Sequence, residues 1–536
     1  MSDKHKTSPL AGECRDSKPW LSRFGVRPVV WCALGLGLAG LSQSLAQPFR
    51  IESSQLGPQS QPSFSVPSDT NAYYRLFGGA QTTNLQTVIA LSLTNTLVAP
   101  QAPTNASQFF YRAQRIALAA PHDSDGDGID DLWELANGLD PLDPSDAAQV
   151  APGDTRTWLE LYNDERAVTF DYQYPPGQPT LAMALAQDPV SKAVYAAGYV
   201  PGDAASGVPN HGLLLKSTDG GINWSTNPPL QDYTPGAFTG LTVDPSGSIY
   251  AVSEADSLMI LKSSDAGTNW SLVDRYFGET NWGTNNWAYA PGNLPARAAV
   301  DQKGNVYVAG GFYVQVTGGF PLWFVRKFTE ASNSWATVDV FKASLGAWAN
   351  AVACDPTGGV FVVGLAQKSN LNFSWVVRHS GDGGATWRTV DNFQLSTNMD
   401  AWGVTTDAKG NVYVAGYAWT SDGLAHALVR ASSDRGISWR TINDTTNSGY
   451  LGITVDGAGR LDVLRGWTVR QSSDGGTTWV NVDDFLYSDP SYYLIPEAIL
   501  GLSDGSILTA GWAAVTGNAP QTGRWLVRRL PPLPPK

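Results

Sequence analysis

The sequence predicts an all-β protein whose larger part is a seven-bladed β-propeller of four-stranded blades. Three observations lead to this fold. The 536 residues include Gly 55, Trp 20 and Tyr 20, a composition that favours tight turns and aromatic packing between sheets. An octet of the form S-x-D-x-G-x-x-W recurs, and a shared strand–turn–strand unit precedes most copies. Repetition of one such unit along the chain indicates sheets that are arranged radially, an arrangement that protects their short edges.

Each repeat is predicted to form four short strands. Segments such as VDPSGSIYAVS and TDAKGNVYVAG supply a strand, a D-x-x-G turn and a second strand. A third strand, with Arg near its end as in WFVR and WVVR, leads into the octet, and a fourth strand follows. The octets lie at Ser217–Trp224, Ser263–Trp270, Ser380–Trp387, Ser432–Trp439 and Ser472–Trp479, with a degenerate copy at Phe328–Trp335.

The seventh blade is incomplete in the sequence. It begins near Ile495 and reaches a third strand at Arg524–Leu530, but no octet or fourth strand follows. An open ring would leave sheet edges exposed, so another segment must supply the missing strand. We expect residues 155–172 to form this closing strand, within a propeller that spans residues 155–532.

The octet resembles the Asp-box, or BNR, repeat of sialidases, sortilin-type receptors, xyloglucan hydrolases and a photosystem assembly factor. The resemblance covers about Leu181 to Leu530 and implies the propeller fold, whereas the chemistry of these families differs. Ser and Asp side chains can hydrogen-bond the backbone of the turn, Gly accommodates its conformation, and Trp packs between sheets. A structural role is therefore predicted for the Asp-box aspartates Asp219, Asp265, Asp382, Asp434 and Asp474.

An acidic loop, DSDGDGIDDLWE, precedes the propeller within an expected linker at residues 121–150. It fits the calcium loop D-x-D-x-D-G-x-x-D-x-x-E and resembles EF-hand and thrombospondin type-3 loops. Hard oxygen ligands favour Ca²⁺ as the cofactor over a transition metal, and a solvated acidic linker is the alternative. The predicted metal ligands are the side chains of Asp123, Asp125, Asp127, Asp131 and Glu134 and the carbonyl of Ile129.

The first part of the chain is predicted to be an export signal followed by an accessory module. Residues 1–47 combine a basic leader, the apolar run Val29–Leu41 and the small residues Ser44 and Ala46, which predicts a signal peptide. Residues 48–120 alternate β-type runs with Pro, Asn and Gly, as expected for a small β module. We therefore expect a secreted or cell-surface protein, with the periplasm as the alternative, and no membrane span after signal removal.

Charge and cysteine usage exclude several classes of function. The net charge of −13 and the pI of about 4.8 argue against nucleic acid as a partner, because phosphate binding needs clustered Lys and Arg. Of Cys 3, only Cys354 would remain after signal removal, so no internal disulfide is expected. No nucleophile elbow, phosphate loop or His cluster appears. We therefore predict no catalytic residues, disfavour a classical sialidase and expect a monomer.

The loops between second and third strands, and those between blades, vary most and carry many aromatic residues. Aromatic residues on the loops of a rigid scaffold are typical of glycan or protein recognition, and packing between blades is the alternative for each. The leading hypothesis is a non-catalytic binding protein for an extracellular glycan or protein. A polysaccharide-degrading glycoside hydrolase or lyase and an assembly factor similar to the photosystem helper stay open. The candidate ligand-binding residues are Trp282, Trp287, Tyr289, Trp402, Trp419, Tyr492 and Tyr493.

Overall fold

Antiparallel strands form nearly all of the regular structure in the computed structural model. The chain divides into two units, Met1–Asp146 with Pro534–Lys536, and Ala147–Leu533. No helix of the described part is long and apolar enough to cross a membrane. The structure describes residues 49–56, 61–83, 85–100, 108–172, 180–200, 211–226, 237–254, 257–277, 296–313, 321–368, 372–446, 448–487, 489, 491–515 and 523–534.

The first unit contains two three-stranded sheets, with strand orders β1-β2-β5 and β4-β3-β6, and one short helix. Both sheets contribute to one apolar core, which includes Phe64 and Leu97 from the first and Tyr74, Leu76 and Tyr111 from the second. The elements are β1 (Ser53–Leu56), β2 (Pro62–Ser65), β3 (Ala72–Gly79), β4 (Val88–Ser92), β5 (Thr96–Val98), β6 (Phe110–Ala117) and α1 (Asp131–Asn137).

The second unit begins with a helix and continues with strands throughout. The elements are α2 (Trp158–Arg166), β7 (Val168–Tyr172), β8 (Leu181–Gln187), β9 (Val194–Val200), β10 (His211–Ser217), β11 (Ser225–Thr226), β12 (Ala237–Val243), β13 (Ile249–Glu254), β14 (Leu258–Ser263), β15 (Ser271–Tyr276), β16 (Arg297–Val300), β17 (Val306–Tyr313), β18 (Pro321–Thr329), β19 (Ser334–Phe341), β20 (Gly346–Cys354), β21 (Val360–Gln367), β22 (Phe373–Ser380), β23 (Arg388–Phe393), β24 (Asn398–Thr406), β25 (Val412–Trp419), β26 (Ala425–Ser432), β27 (Arg440–Thr446), β28 (Gly452–Val455), β29 (Leu461–Arg465), β30 (Thr468–Ser472), β31 (Val480–Asp484), β32 (Tyr492–Gly501), β33 (Ile507–Val515) and β34 (Arg524–Leu530). A 3₁₀ turn at Glu330–Ser332 occupies the degenerate octet.

These strands form four-stranded antiparallel sheets, which we number 1 to 7 in chain order. Sheets 1 to 6 are β8–β11, β12–β15, β16–β19, β20–β23, β24–β27 and β28–β31, and sheet 7 is β32-β33-β34-β7. The first strand of each sheet lies against the first strands of its two neighbours, and β32 lies against β8. The ring therefore closes, and the predicted all-β propeller fold is confirmed.

Apolar clusters between neighbouring sheets hold the ring together. The third-strand tryptophans Trp323, Trp375 and Trp525 are completely buried. Trp323 packs in the cluster shared by sheets 3 and 4, and Trp375 in that shared by sheets 4 and 5. Burying an aromatic side chain of this size contributes several kcal/mol at about 25 cal/mol per Å².

Arginines near the ends of third strands link neighbouring sheets through ion pairs. Arg326 of sheet 3 lies 2.7 Å from Asp274 of sheet 2, and Arg378 of sheet 4 lies 2.6 Å from Asp339 of sheet 3. Arg430–Asp391 and Arg528–Asp483 repeat this pairing in later sheets. The Arg side chains of these pairs are nearly buried, with exposed fractions of 3% to 12%.

The closing strand is shorter than the expected 155–172. β7 pairs antiparallel with β34, with Phe170 opposite Val527, and supplies the fourth strand of sheet 7. The preceding residues form α2 instead of a strand, because Thr157 and Glu160 make a capping box. The Thr157 hydroxyl accepts from the Glu160 N–H at 3.2 Å, while the Glu160 carboxylate accepts from the Thr157 N–H at 2.7 Å.

The octets form tight turns in which each polar side chain bonds the turn itself. In the first octet, Ser217 Oγ accepts from the Gly221 N–H at 2.8 Å and donates to Asp219 Oδ1 at 2.7 Å. Asp219 Oδ1 also accepts from the Asn223 N–H at 2.9 Å, and Trp224 Nε1 donates to the Gly221 carbonyl at 3.0 Å. The same Ser–Asp and Ser–Gly bonds recur around Asp265, Asp382, Asp434 and Asp474.

Candidate functional site

Two regions bring chemically active side chains together, and the first is the acidic loop of the first unit. The loop wraps around its own carboxylates. Asp123 accepts from the N–H groups of Gly126 and Gly128, and Asp127 Oδ1 accepts from the Ile129 N–H at 2.8 Å. Helix α1 follows directly, with Asp130 as its N-cap. These local bonds explain why the sequence pattern alone defines the shape of the loop.

Several carboxylate oxygens of the loop are buried without a hydrogen-bond partner. Glu134 is completely buried, and neither of its oxygens has a partner among the described residues. Asp125 Oδ2, Asp127 Oδ2 and Asp146 Oδ1 share this condition. The ligand atoms form two overlapping groups within 4.8 Å, one of Asp123, Asp125 and Asp127, the other of Asp127, Glu134 and Asp146. Unpartnered buried carboxylates are costly unless a cation compensates them.

Burial and mutual repulsion change the acidity of this group. Burial, reinforced by the charges of Asp127 and Asp125, raises the pKa of Glu134 to about 9. Burial raises the pKa of Asp127 to about 7 and that of Asp125 to about 6, again with contributions from neighbouring carboxylates. A bound divalent cation would favour the charged forms instead. An all-oxygen donor set of this kind has the chemistry that a hard divalent cation requires.

One residue predicted as a ligand lies outside these two acidic groups, and a residue that was not predicted lies within one of them. Asp131, the expected ninth-position ligand, turns away: its Oδ2 accepts from Tyr73 Oη at 2.6 Å, and its Oδ1 accepts from the Ser124 N–H at 2.8 Å. The reason is that Tyr73 on β3 is buried and needs an acceptor. Asp146 lies in the acidic group with Asp127 and Glu134. Its only sequence signal is the acidic continuation LDPSDA, which gives no ligand spacing.

The second region is a central cavity of about 350 Å³ in the propeller, lined by the first strands of all seven sheets. Most of its lining is aliphatic. The residue three positions before the turn between the first and second strands is apolar in every sheet and lines the cavity. These residues are Leu185, Leu241, Ala298, Val352, Val404, Ile453 and Ile499.

Several first strands carry a β-bulge two residues before this aliphatic position. The pairing between first and second strands shifts at Met183, Asn350, Trp402 and Glu497, and all four side chains line the cavity. In these four sheets the second strand has a glycine opposite the residue before the bulge, whereas a further bulge, at Thr239 of β12, has Ser253 at that position. A Cβ at Gly364 or Gly511 would collide with the carbonyl oxygen of Trp348 or Ile495, and Gly198 and Gly416 are equally constrained. Bulges re-aim side chains, so the repeat places four different residues into one cavity.

The polar lining has one cation and one carboxylate among the described residues, Arg297 and Glu497. Arg297 stands where the other six sheets have Ala or Gly, and its guanidinium donates to the Thr239 carbonyl. Burial raises the pKa of Glu497, while the nearby charge of Arg297 opposes the rise. Glu497 also accepts from Trp512 Nε1 at 3.4 Å. The sequence analysis assigned neither residue to a site, and the sequence signal of Arg297 is its departure from the repeat.

The structure describes four of the seven predicted ligand-binding aromatics and places one of them in the cavity. Trp282, Trp287 and Tyr289 lie outside the described residues, whereas Trp402 lines the cavity.

The remaining three aromatics lie at strand ends. Trp419 at the end of β25 is 48% exposed, and Tyr493 near the start of β32 is 42% exposed. Tyr493 packs edge-on against Trp512 with ring centroids 5.8 Å apart. Tyr492 is half-buried against Tyr487, with centroids 5.2 Å apart.

Comparison with known proteins yields structural matches only. No protein-family model and no curated protein matches the chain. A YCF48 structure bound to a D1 peptide matches with 13% identity and a TM-score of 0.42, covering 68% of this chain and 96% of that one. An α-L-arabinofuranosidase from Fusarium graminearum matches with 13% identity and a TM-score of 0.38, covering 55% and 92%. A polysaccharide lyase, an ulvan lyase, matches with 14% identity and a TM-score of 0.38, covering 55% and 77%. These likenesses carry no argument about ligand or chemistry.

Proposed function

We propose that the protein is a secreted or cell-surface binding protein whose seven-bladed propeller recognises an extracellular glycan, without catalysis. The observation that carries the proposal is the set of bulged first strands, which place Met183, Asn350, Trp402 and Glu497 in one cavity. A concave site with apolar walls, an aromatic ring and few polar groups is the usual form of a small-ligand site. A protein partner is the alternative ligand of the same face, as for an assembly factor.

We also propose that the acidic loop binds Ca²⁺ as a structural ion. Asp123, Asp125, Asp127, Glu134 and Asp146 would supply carboxylate oxygens, with the Ile129 carbonyl as a further ligand. Calcium takes six to eight oxygen ligands in flexible geometry, and this set meets that requirement. The bond between Tyr73 and Asp131 then connects the filled loop to β3, so the ion stabilises the β module rather than acting as a switch.

A polysaccharide-degrading enzyme is the second candidate, and one observation favours it. Glu497 lies in the cavity with its pKa raised by burial, a condition suited to a general acid. Hydrolysis of a glycosidic bond with two carboxylates needs a partner across the cleft. Glu497 is the one carboxylate among the described cavity-lining residues, so binding is the better supported function.

Native affinity electrophoresis of the purified protein through soluble polysaccharides, with calcium present, tests the proposal. We expect retardation in at least one gel and no clearing of the polysaccharide when that gel is stained. Clearing that Glu497→Gln abolishes would replace the binding function by a glycosidase or lyase. Migration unchanged in every gel would reject glycan binding and favour a protein partner.

A further inference from the structure

We propose that the central cavity is a subsite for a neutral sugar ring, selected by Trp402 together with the opposite charges of Arg297 and Glu497. The inference rests on the proposed glycan-binding function and specifies the class of sugar. It follows from a comparison of the repeat positions at which all sheets have similar residues with those at which the residues differ.

The bulge positions can specify a ligand because their side chains differ from sheet to sheet, although those of Asn350 and Thr239 also hydrogen-bond the next repeat. Met183, Asn350, Trp402 and Glu497 occupy the same bulged position on the same frame, although their side chains share no property. In each of these four sheets a glycine of the second strand lies opposite the residue before the bulge, where a Cβ would collide with a first-strand carbonyl oxygen. A purely structural role would favour one residue type at this position, as it does in the aliphatic ring two residues further on.

Arg297 adds a charge at a position that is otherwise small. The equivalent residues of the other six sheets are Ala or Gly, which fit the close approach of neighbouring first strands. A Cβ at Gly240, for example, would meet the carbonyl oxygen of Ala296 at 2.6 Å. The large side chain of Arg297 at such a position is hard to explain by packing. Arg297 instead lines the cavity, and its charge acts electrostatically on Glu497.

The charges of the described lining residues cancel, which determines the charge of the ligand. A uronic acid or another acidic sugar would bring a second anion beside Glu497, with Arg297 as the single compensating cation. A cationic ligand meets the converse problem at Arg297. Placing an uncompensated charge in a partly desolvated cavity costs more free energy than its attraction to the one opposite charge contributes. A neutral ligand avoids both costs.

The hydrogen-bonding groups match hydroxyls, which both donate and accept. Glu497 can accept and Arg297 can donate, and Asn350 is held in one orientation by neighbouring strand β24. The Asn350 Nδ2 donates to Asp400 Oδ1 at 2.7 Å and to the Ala401 carbonyl at 3.0 Å, so the amide oxygen is its acceptor for a ligand. Trp402 lines the cavity together with these groups, and an indole ring supplies the apolar surface against which sugar C–H groups pack. A cavity of about 350 Å³ limits the ligand to a small segment of a glycan.

The test measures retardation of the full protein by two neutral polysaccharides, xyloglucan and galactomannan, and by the acidic polygalacturonate. We expect the natural protein to be retarded by a neutral polymer and not by polygalacturonate. Trp402→Ala and Glu497→Gln should each weaken neutral binding about tenfold, the effect of losing about 1.4 kcal/mol. Glu165→Gln, an exposed substitution on α2, is the matched control and should leave the affinity unchanged.

The outcomes separate this inference from the proposed function. Stronger retardation by polygalacturonate, or neutral binding that survives both Trp402→Ala and Glu497→Gln, would overturn the cavity inference while glycan binding stands. Failure of all three polysaccharides to retard the protein would reject the proposed function, and the subsite with it. Melting curves of the variants must coincide with that of Glu165→Gln, so that a loss of binding reports the site and not unfolding.

Discussion

Arg528 joins three parts of the propeller, and its removal provides a sharp test of how the ring is held closed. Its Nε and Nη2 donate to the two oxygens of Asp483 in sheet 6, each at 2.7 Å. Its Nη2 also donates to Asp164 of α2 at 2.7 Å, and its Nη1 donates to Thr169 of β7 at 3.1 Å. The side chains of Arg528 and Asp483 are 3% and 1% exposed.

Replacing Arg528 by Met leaves Asp483 buried without its cation. Breaking a buried ion pair on one side costs about 3–5 kcal/mol, and we expect Arg528→Met to reduce the free energy of unfolding by that amount. The double variant Arg528→Met with Asp483→Leu should recover most of the loss, because an apolar pair of similar volume is roughly neutral. The chain itself offers a precedent, since Leu215 and Leu261 are fully buried at the equivalent repeat position of sheets 1 and 2.

Urea unfolding followed by tryptophan fluorescence measures these differences by linear extrapolation. Arg115→Met is the control, because the Arg115–Asp69 pair of the first unit is exposed, with side chains 57% and 28% accessible. An exposed pair contributes at most about 1 kcal/mol. A loss below about 1 kcal/mol for Arg528→Met, or an equal loss for the double variant, would refute the reasoning.

Three further predictions address the ion, the octets and the bulges. Asp146→Asn should abolish most of the stabilisation by calcium, a free energy of about 2.7 kcal/mol at a hundredfold excess of calcium over Kd. The exposed Asp143→Asn should retain it, and calorimetry with and without chelator measures both as the shift in melting temperature. Hydrogen bonds from the backbone and side chain of Asn269 lower the pKa of Asp265 to about 2, so its contribution to stability is full above pH 4 and lost as the pH falls through about 2. Asp265→Asn should reduce that acid dependence in pH-dependent melting, and an unchanged profile would contradict the assignment. Gly364→Ala should cost about 1–3 kcal/mol through its backbone collision, whereas Gly381→Ala, with room for a methyl group, should be nearly neutral in urea unfolding.

Local patterns in the sequence were sufficient for much of the architecture. The octet bonds join residues within four positions of one another, as between Ser217 and Gly221, so the sequence determines each turn without reference to the rest of the chain. Repetition of the unit then predicts a ring of four-stranded sheets. The same locality makes the backbone bonds of the Asp123–Asp127 loop predictable.

Contacts between distant residues were beyond sequence reasoning, and they define both candidate sites. Asp146 lies beside Asp127 and Glu134 in the acidic group, and Tyr73 of β3 bonds the carboxylate of Asp131. The capping box of Thr157 and Glu160, by contrast, is a local pattern that is present in the sequence, and it shortens the closing strand to β7.

The sequence by itself determined the repeat, its turns, the all-β class and the acidic loop, because these depend on bonds between near neighbours. Only the tertiary structure brought Arg297 of sheet 3 and Glu497 of sheet 7 to one cavity. The physical reason is that a closed ring of first strands converges side chains from repeats that are far apart in the chain. The identity of the residue at each bulge follows from the sequence. The meeting of these residues in one cavity is a property of the closed ring.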